Sequence, residues 1–154
     1  MPIDRLLIAT RNAGKVREFR EIVGNSVPVL DLSVFPDAPD VDETGATFRE
    51  NALLKARAYA RHARCWTLAD DSGLAVDALE GRPGVHSARW ALMHGRNPGD
   101  GANNALLLEQ LRDIPDAGRT AHFVCHLVLC DPSGEPVIDC TDRVDGRILH
   151  APRG

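Results

Sequence analysis

Leu68-Ala-Asp-Asp-Ser-Gly-Leu-Ala-Val-Asp77, followed by Gly81-Arg-Pro-Gly-Val-His-Ser-Ala-Arg89, is the stretch from which the rest of the chain is read. An apolar run, Trp66 to Ala69, delivers two neighbouring carboxylates, Asp70 and Asp71, to its end. Ser72 and Gly73 are expected to turn the backbone there, before a second apolar stretch begins. Carboxylates side by side at a strand end repel each other unless a cation lies between them. A hard divalent ion such as Mg²⁺ suits an oxygen-rich, partly open arrangement that substrate phosphates complete. The same residues also read as a solvated turn, since Asp, Ser and Gly are ordinary turn formers.

The N-terminus adds a second element. Leu6-Leu-Ile-Ala-Thr10 has the pattern of a buried strand, and Arg11-Asn-Ala-Gly-Lys15 follows it. Val16, Phe19, Ile22 and Val23 then recur at helical spacing. A strand, a tight polar loop and a helix start make an anion site, because free N–H groups and the helix dipole favour phosphate and Lys15 adds charge. The spacing is not that of a Walker A loop. A plain strand-to-helix connection with a surface lysine has the same pattern.

A third element begins at Asp42-Glu43-Thr44-Gly45, before Thr47-Phe-Arg-Glu50, which fits a capping box. Phe48, Ala52, Ala56, Tyr59, Ala60 and Ala63 form one apolar stripe of the helix that follows. Asn51 and Lys55 lie four apart on its rim and share a direction. Lys55 could point into a cleft beside the buried face or be an exposed solubilising charge. Asp42 and Glu43 could be a solvated acidic turn.

Thr10-Arg-Asn-Ala-Gly-Lys15, Glu43-Thr-Gly with Thr47-Phe-x-Glu-Asn-Ala-x-x-Lys-Ala56, Asp70-Asp-Ser-Gly73 and Gly81-x-Pro-Gly-x-x-Ser-Ala-Arg89 stand in an order that resembles one family. They look like the inosine/xanthosine triphosphate pyrophosphatases, house-cleaning enzymes for non-standard purine nucleotides. The resemblance continues through Arg119-x-Ala-x-Phe-x-Cys125 and Gly146-Arg-Ile-x-x-x-Pro-Arg-Gly154, and so covers essentially the whole chain. It implies an α/β fold of two lobes, with an elongated mixed β-sheet flanked by helices and the active-site cleft between the lobes. It also implies a homodimer.

The activity implied is cleavage of a purine nucleoside triphosphate (ITP, dITP or XTP) to monophosphate and pyrophosphate, with Mg²⁺ as cofactor. Water must attack the α-phosphorus, a reaction that needs positioning and charge neutralisation more than a covalent nucleophile. On this resemblance Asp71 orients and deprotonates the water and binds the metal, with Glu43, Asp70 and Asp42 completing the acidic shell. Lys15, Lys55 and Arg89 neutralise the triphosphate. Thr10, Asn12 and Ser72 hydrogen-bond phosphate or sugar, within a loop that includes Arg11 and Ala13. Gly14 lets the backbone approach the anion. In the family, Pro-Arg-Gly leads into a Gly-Phe-Gly-Tyr-Asp motif, and a lysine, a Ser-His-Arg motif and a final helix come later. The sequence stops at Gly154, so the expectation is one pyrophosphatase domain, residues 1–154, lacking the family's C-terminal segment and most of its base-recognising half. Two rival readings are a Maf-type pyrophosphatase of other specificity and a truncated, non-catalytic phosphate-binding remnant.

Composition agrees with an enzyme domain. A chain of 154 residues with 44% apolar content can bury one core. Net charge is −4 with no basic block, which argues against non-specific nucleic-acid binding. No signal peptide and no membrane-length apolar run is present, so a cytoplasmic protein with no membrane partner is expected. Of the four cysteines, Cys125 and Cys130 alternate with His122 and His126 in a strand-like stretch, so Cys125 and His126 point opposite ways. Reduced, packed cysteines are therefore expected rather than zinc. The elements expected are strands 5–10, 27–31, 66–70, 74–79, 120–131 and 136–142, and helices 14–24, 47–63 and 101–112.

Overall fold

The computed structural model describes residues 2–153. Five strands, β1 (Leu6–Ile8), β2 (Val29–Asp31), β3 (Trp66–Val76), β4 (Thr120–Cys130) and β5 (Pro136–Arg147), form one sheet in the order β2-β1-β3-β4-β5. The helices are α1 (Ala13–Val23), α2 (Phe48–Ala63), α3 (Trp90–Met93) and α4 (Asp100–Gln110). β1 runs parallel to both neighbours, with Leu7 opposite Leu30 and Thr67. β4 and β5 are joined only by residues 131–135, where Gly134 N–H donates to the Asp131 carbonyl at 2.9 Å. A link that short between paired strands makes an antiparallel hairpin. The sheet is therefore mixed, as the motifs led one to expect.

Packing divides the chain into two compact units, Met1–Asp71 with His126–Thr141 and Ser72–Cys125 with Asp142–Gly154. In the first, β1 is apolar on both sides because both sides are covered. Leu6 and Ile8 pack with Val16, Phe19 and Val23 of α1, whereas Leu7 and Ala9 pack with Ala52, Ala56, Tyr59 and Ala60 of α2. The period of two sends successive residues to opposite layers. Three alanines of α2, with Tyr59, make up its share of that contact. Thr47 caps it, its Oγ1 accepting from Glu50 N–H at 3.1 Å.

The second unit holds a smaller core, Val76, Leu107, Leu111 and Ala121, with Leu74, Leu79, Ile114 and Ile148 against it. Asn103, buried on α4, accepts from Ala91 N–H at 2.8 Å and donates to the Ala88 carbonyl at 3.1 Å, which holds the turn before α3. Arg119 is buried in this unit and its guanidinium donates to four backbone carbonyls, those of Leu111, Ile114, Ile148 and Leu149.

Two expectations need correction. Asp70-Asp-Ser-Gly73 is not a turn: β3 runs unbroken from Trp66 to Val76, and Gly73 is buried within it. Turn composition lost to sheet pairing because alternation gives each carboxylate its own partner on its own face. The last strand also continues to Arg147 rather than stopping at 142, and all twelve of its residues are exposed, so apolar periodicity could not mark its end. Among the described residues no helix is long and apolar enough to cross a membrane.

Candidate functional site

The residues singled out in the sequence converge mainly in the first unit, at the ends of β1 and of its part of β3. Leu68 packs in the α1 layer and Ala69 in the α2 layer. The same alternation turns Asp70 toward α1 and Asp71 toward α2. Lys15, in the first turn of α1, places Nζ 2.6 Å from Asp70 Oδ2. Lys55 of α2 places Nζ 2.8 Å from Glu43 Oε1 and 4.0 Å from Asp71 Oδ1. The side chain of Lys55 is only 15% exposed, so of the two readings it is the cation beside the buried face, next to two carboxylates, and not an exposed solubilising charge.

Both aspartates are buried, at 4% for Asp70 and 7% for Asp71. Burial pushes the Asp71 carboxyl above the usual carboxylate range. Lys55 and a hydrogen bond from Asn51 pull it back, and Glu43 and Asp70 push it up again. Three carboxylates, Glu43, Asp70 and Asp71, thus share this region with two ammonium groups. Asp42 is exposed beside Glu43, its carbonyl accepting from Thr44 N–H at 3.0 Å.

The loop after β1 is organised around Asn12. Its Oδ1 accepts from the N–H groups of Gly14 at 2.9 Å and Lys15 at 3.2 Å, while its own N–H donates to Thr10 Oγ1 at 3.1 Å. The helix start expected to offer free donors to phosphate is therefore capped by a side chain. A Cβ on Gly14 would lie 3.1 Å from Asn12 Oδ1, so this glycine makes room for the cap. Arg11 turns to the Asp40 carboxylate at 3.1 Å and the Ala38 carbonyl. Ala13, exposed, opens α1. A cavity of ≈ 240 Å³ lies beside these groups, lined by Thr10, Arg11, Asp40, Glu43, Lys55 and Tyr59 among others. Ser72 and Arg89 belong to the second unit, where Ser72 lies in β3 and Arg89 ends a 3₁₀ turn with Nη2 3.5 Å from His86 Nδ1.

Sequence reading set Asn51 beside Lys55 but gave no role to what is the side chain that ties this site together. Asn51 is fully buried, donates from Nδ2 to Asp71 Oδ2 at 3.2 Å, and accepts at Oδ1 from Gly45 N–H at 2.7 Å. The signal was available: Asn51 stands four residues before Lys55, next to the buried stripe. Among the described residues no three His, Cys, Asp or Glu side chains come together closely enough to hold a metal ion.

A model of the Ham1 family matches residues 6–154. A dITP/XTP pyrophosphatase of Geobacillus kaustophilus is 52% identical over 150 residues, spanning 97% of this chain and 72% of that protein. One from Streptomyces avermitilis is 50% identical, spanning 97% and 74%. Among solved structures, a nucleoside-triphosphatase / dITP/XTP pyrophosphatase from Mycobacterium abscessus superposes with a TM-score of 0.81 at 46% identity, covering 97% of this chain and 77% of that one. A HAM1 protein from Coxiella burnetii does so with 0.86 at 35%, covering 97% and 75%.

Proposed function

Because the chain belongs to the Ham1 family, we propose that it hydrolyses deaminated purine nucleoside triphosphates (dITP, ITP and XTP) to the monophosphate and pyrophosphate. The observation that carries this reading beyond its relatives is the pairing of two buried aspartates with lysines of the flanking helices, Asp70 with Lys15 and Asp71, beside Glu43, with Lys55.

The donor set fits Mg²⁺. Asp71 and Glu43 set two carboxylates against the one ammonium of Lys55, which leaves an acidic excess of hard oxygen donors. The lack of a three-ligand cluster is no obstacle, since Mg²⁺ is commonly held by one or two carboxylates with water and substrate phosphates. Asp71 and Glu43, which face the same lysine, would hold it; Asp70 is engaged by Lys15, and Asp42 stands outside the cluster. When bound, the ion would neutralise phosphate charge and lower the pKa of water. Asp71 would then orient the attacking water and take its proton as the new bond to the α-phosphorus forms and pyrophosphate leaves. Lys15 and Lys55 would transfer from their carboxylate partners toward the triphosphate, and Thr10, Asn12, Ser72 and Arg89 would hold phosphate or sugar. The family reading also carries a homodimer in the cytoplasm, which sedimentation of the purified chain and fractionation of cells would check.

The test is release of pyrophosphate from dITP or XTP, stopped by chelator and restored by Mg²⁺. Release of single phosphates, or turnover indifferent to chelator, would overturn the proposal. Lys55→Ala is expected to weaken nucleotide binding by roughly tenfold or more, a loss of at least one charge-assisted contact. Because Lys55 is enclosed between Glu43 and Asp71, the variant should also melt at lower temperature than the parent. Titration calorimetry and thermal melting read the two effects separately; unchanged affinity with lowered stability would make Lys55 purely structural.

A further inference from the structure

We propose that Asn51 is the positioning residue of this site: one buried amide sets the orientation of Asp71 and its separation from the loop that carries Glu43. The inference rests on the pyrophosphatase reading above. Gly45 N–H can only donate, so Oδ1 of Asn51 must face it, and Nδ2 must therefore face Asp71. The backbone thus decides which way the amide points. With Oδ2 of Asp71 held by Nδ2, Oδ1 is the oxygen turned to Lys55. Both ends of the bridge are short in sequence reach from the chemistry, since Gly45 is two residues after Glu43 and Asp71 is the proposed base.

The loop end of the bridge is tight. A Cβ on residue 45 would sit 2.7 Å from Asn51 Oδ1 and 2.6 Å from Glu50 Cβ, closer than real atoms approach. Ala46 N–H is held in turn by Glu50 Oε2 at 2.7 Å. The first turn of α2 therefore grips two successive amides of the loop with two successive side chains, and the second of these reaches through to Asp71. No other residue type reproduces the bridge. Aspartate at 51 offers no donor and sets a carboxylate against Asp71. Leucine keeps the branched shape, with bulkier methyls, and loses both contacts. Glutamine adds a methylene in a site with no exposure. A carboxylate that activates water must be aimed, and partners behind such a group commonly matter tenfold to a hundredfold.

The experiment compares the whole chain with Asn51→Leu, Gly45→Ala and Thr47→Ala. Thr47→Ala removes the cap of the same helix without touching the bridge, so it reports what loosening α2 alone does. Expected is a loss of kcat of about tenfold to a hundredfold in Asn51→Leu and Gly45→Ala, with the Kd for a non-hydrolysable triphosphate within about threefold of the parent. Thr47→Ala should lower the urea midpoint yet keep its kcat. If Asn51→Leu keeps its kcat, or if Thr47→Ala loses as much, the proposal is overturned. If the parent chain itself releases no pyrophosphate, the pyrophosphatase reading fails, and a stability cycle decides the bridge: non-additive urea midpoints for Asn51→Leu and Asp71→Ala support it, additive ones overturn it.

Discussion

Asp71→Asn is expected to abolish turnover while raising thermal stability at neutral pH. The amide keeps the size of the side chain but removes the charge that would hold the metal and accept the proton, a loss of roughly a hundredfold or more. The stability gain follows from linkage. Asp71 is raised in the folded state by burial above all, with Glu43 and Asp70 adding to it against Lys55 and Asn51. A folded carboxyl that holds its proton more tightly than the unfolded one is destabilised by ionisation, so the folded chain loses stability as pH rises through the window between the two values. The variant has nothing to ionise. Its melting temperature should exceed the parent's above that window, and the difference should shrink as pH falls through it. Calorimetry across pH, without nucleotide, reads this directly. A variant that melts below its parent at neutral pH would mean that Lys55 and Asn51 outweigh burial, and near-parental turnover would move the base to Asp70 or Glu43.

The same side chain shows what was legible in the amino-acid order and what was not. That Asp70 and Asp71 follow an apolar strand, and that Lys15 and Lys55 lie in helices, could be read from residue types and spacing. The capping box at Thr47 and Glu50 was legible too, with one shift: Glu50 reaches Ala46 N–H, one residue before the cap. Partner choice was not legible. Local composition at Asp70-Asp-Ser-Gly73 spells a turn, and only pairing of β3 across the sheet overrides it. Once the segment is a strand, Asp70 and Asp71 part to opposite faces, and a pair that looked like one cation site becomes two separate contacts, Asp70 with Lys15 and Asp71 with Asn51. Asn12 was legible as a loop residue, but that its Oδ1 caps α1 shows only in the 2.9 and 3.2 Å contacts.

Arg119→Ala is expected to be the most destabilising substitution away from the site, because one buried guanidinium holds four carbonyls of the second unit. Sequence reading placed Arg119 at the head of a strand-like motif, where an arginine is ordinarily exposed. It is instead 1% exposed. Two of its acceptors, Leu111 and Ile114, lie just beyond Gln110, where α4 ends. That is the negative end of the helix dipole, and it favours a buried cation. The other two acceptors, Ile148 at 2.9 Å from Nε and Leu149 at 2.9 Å from Nη2, fasten the segment after β5, and the Arg119 carbonyl receives Ile148 N–H at 2.9 Å. Removing the guanidinium leaves covered carbonyls unpaired and a cavity next to Leu111, a combination that costs about 3–5 kcal/mol. Lysine cannot restore it, since one ammonium with three donors cannot span four acceptors set by a planar fork. Urea unfolding of Arg119→Ala and Arg119→Lys is the check. Both midpoints should fall steeply, the lysine variant recovering only a minor part of the loss, and a lysine variant as stable as its parent would show that charge rather than fork geometry holds the 148–149 segment in place.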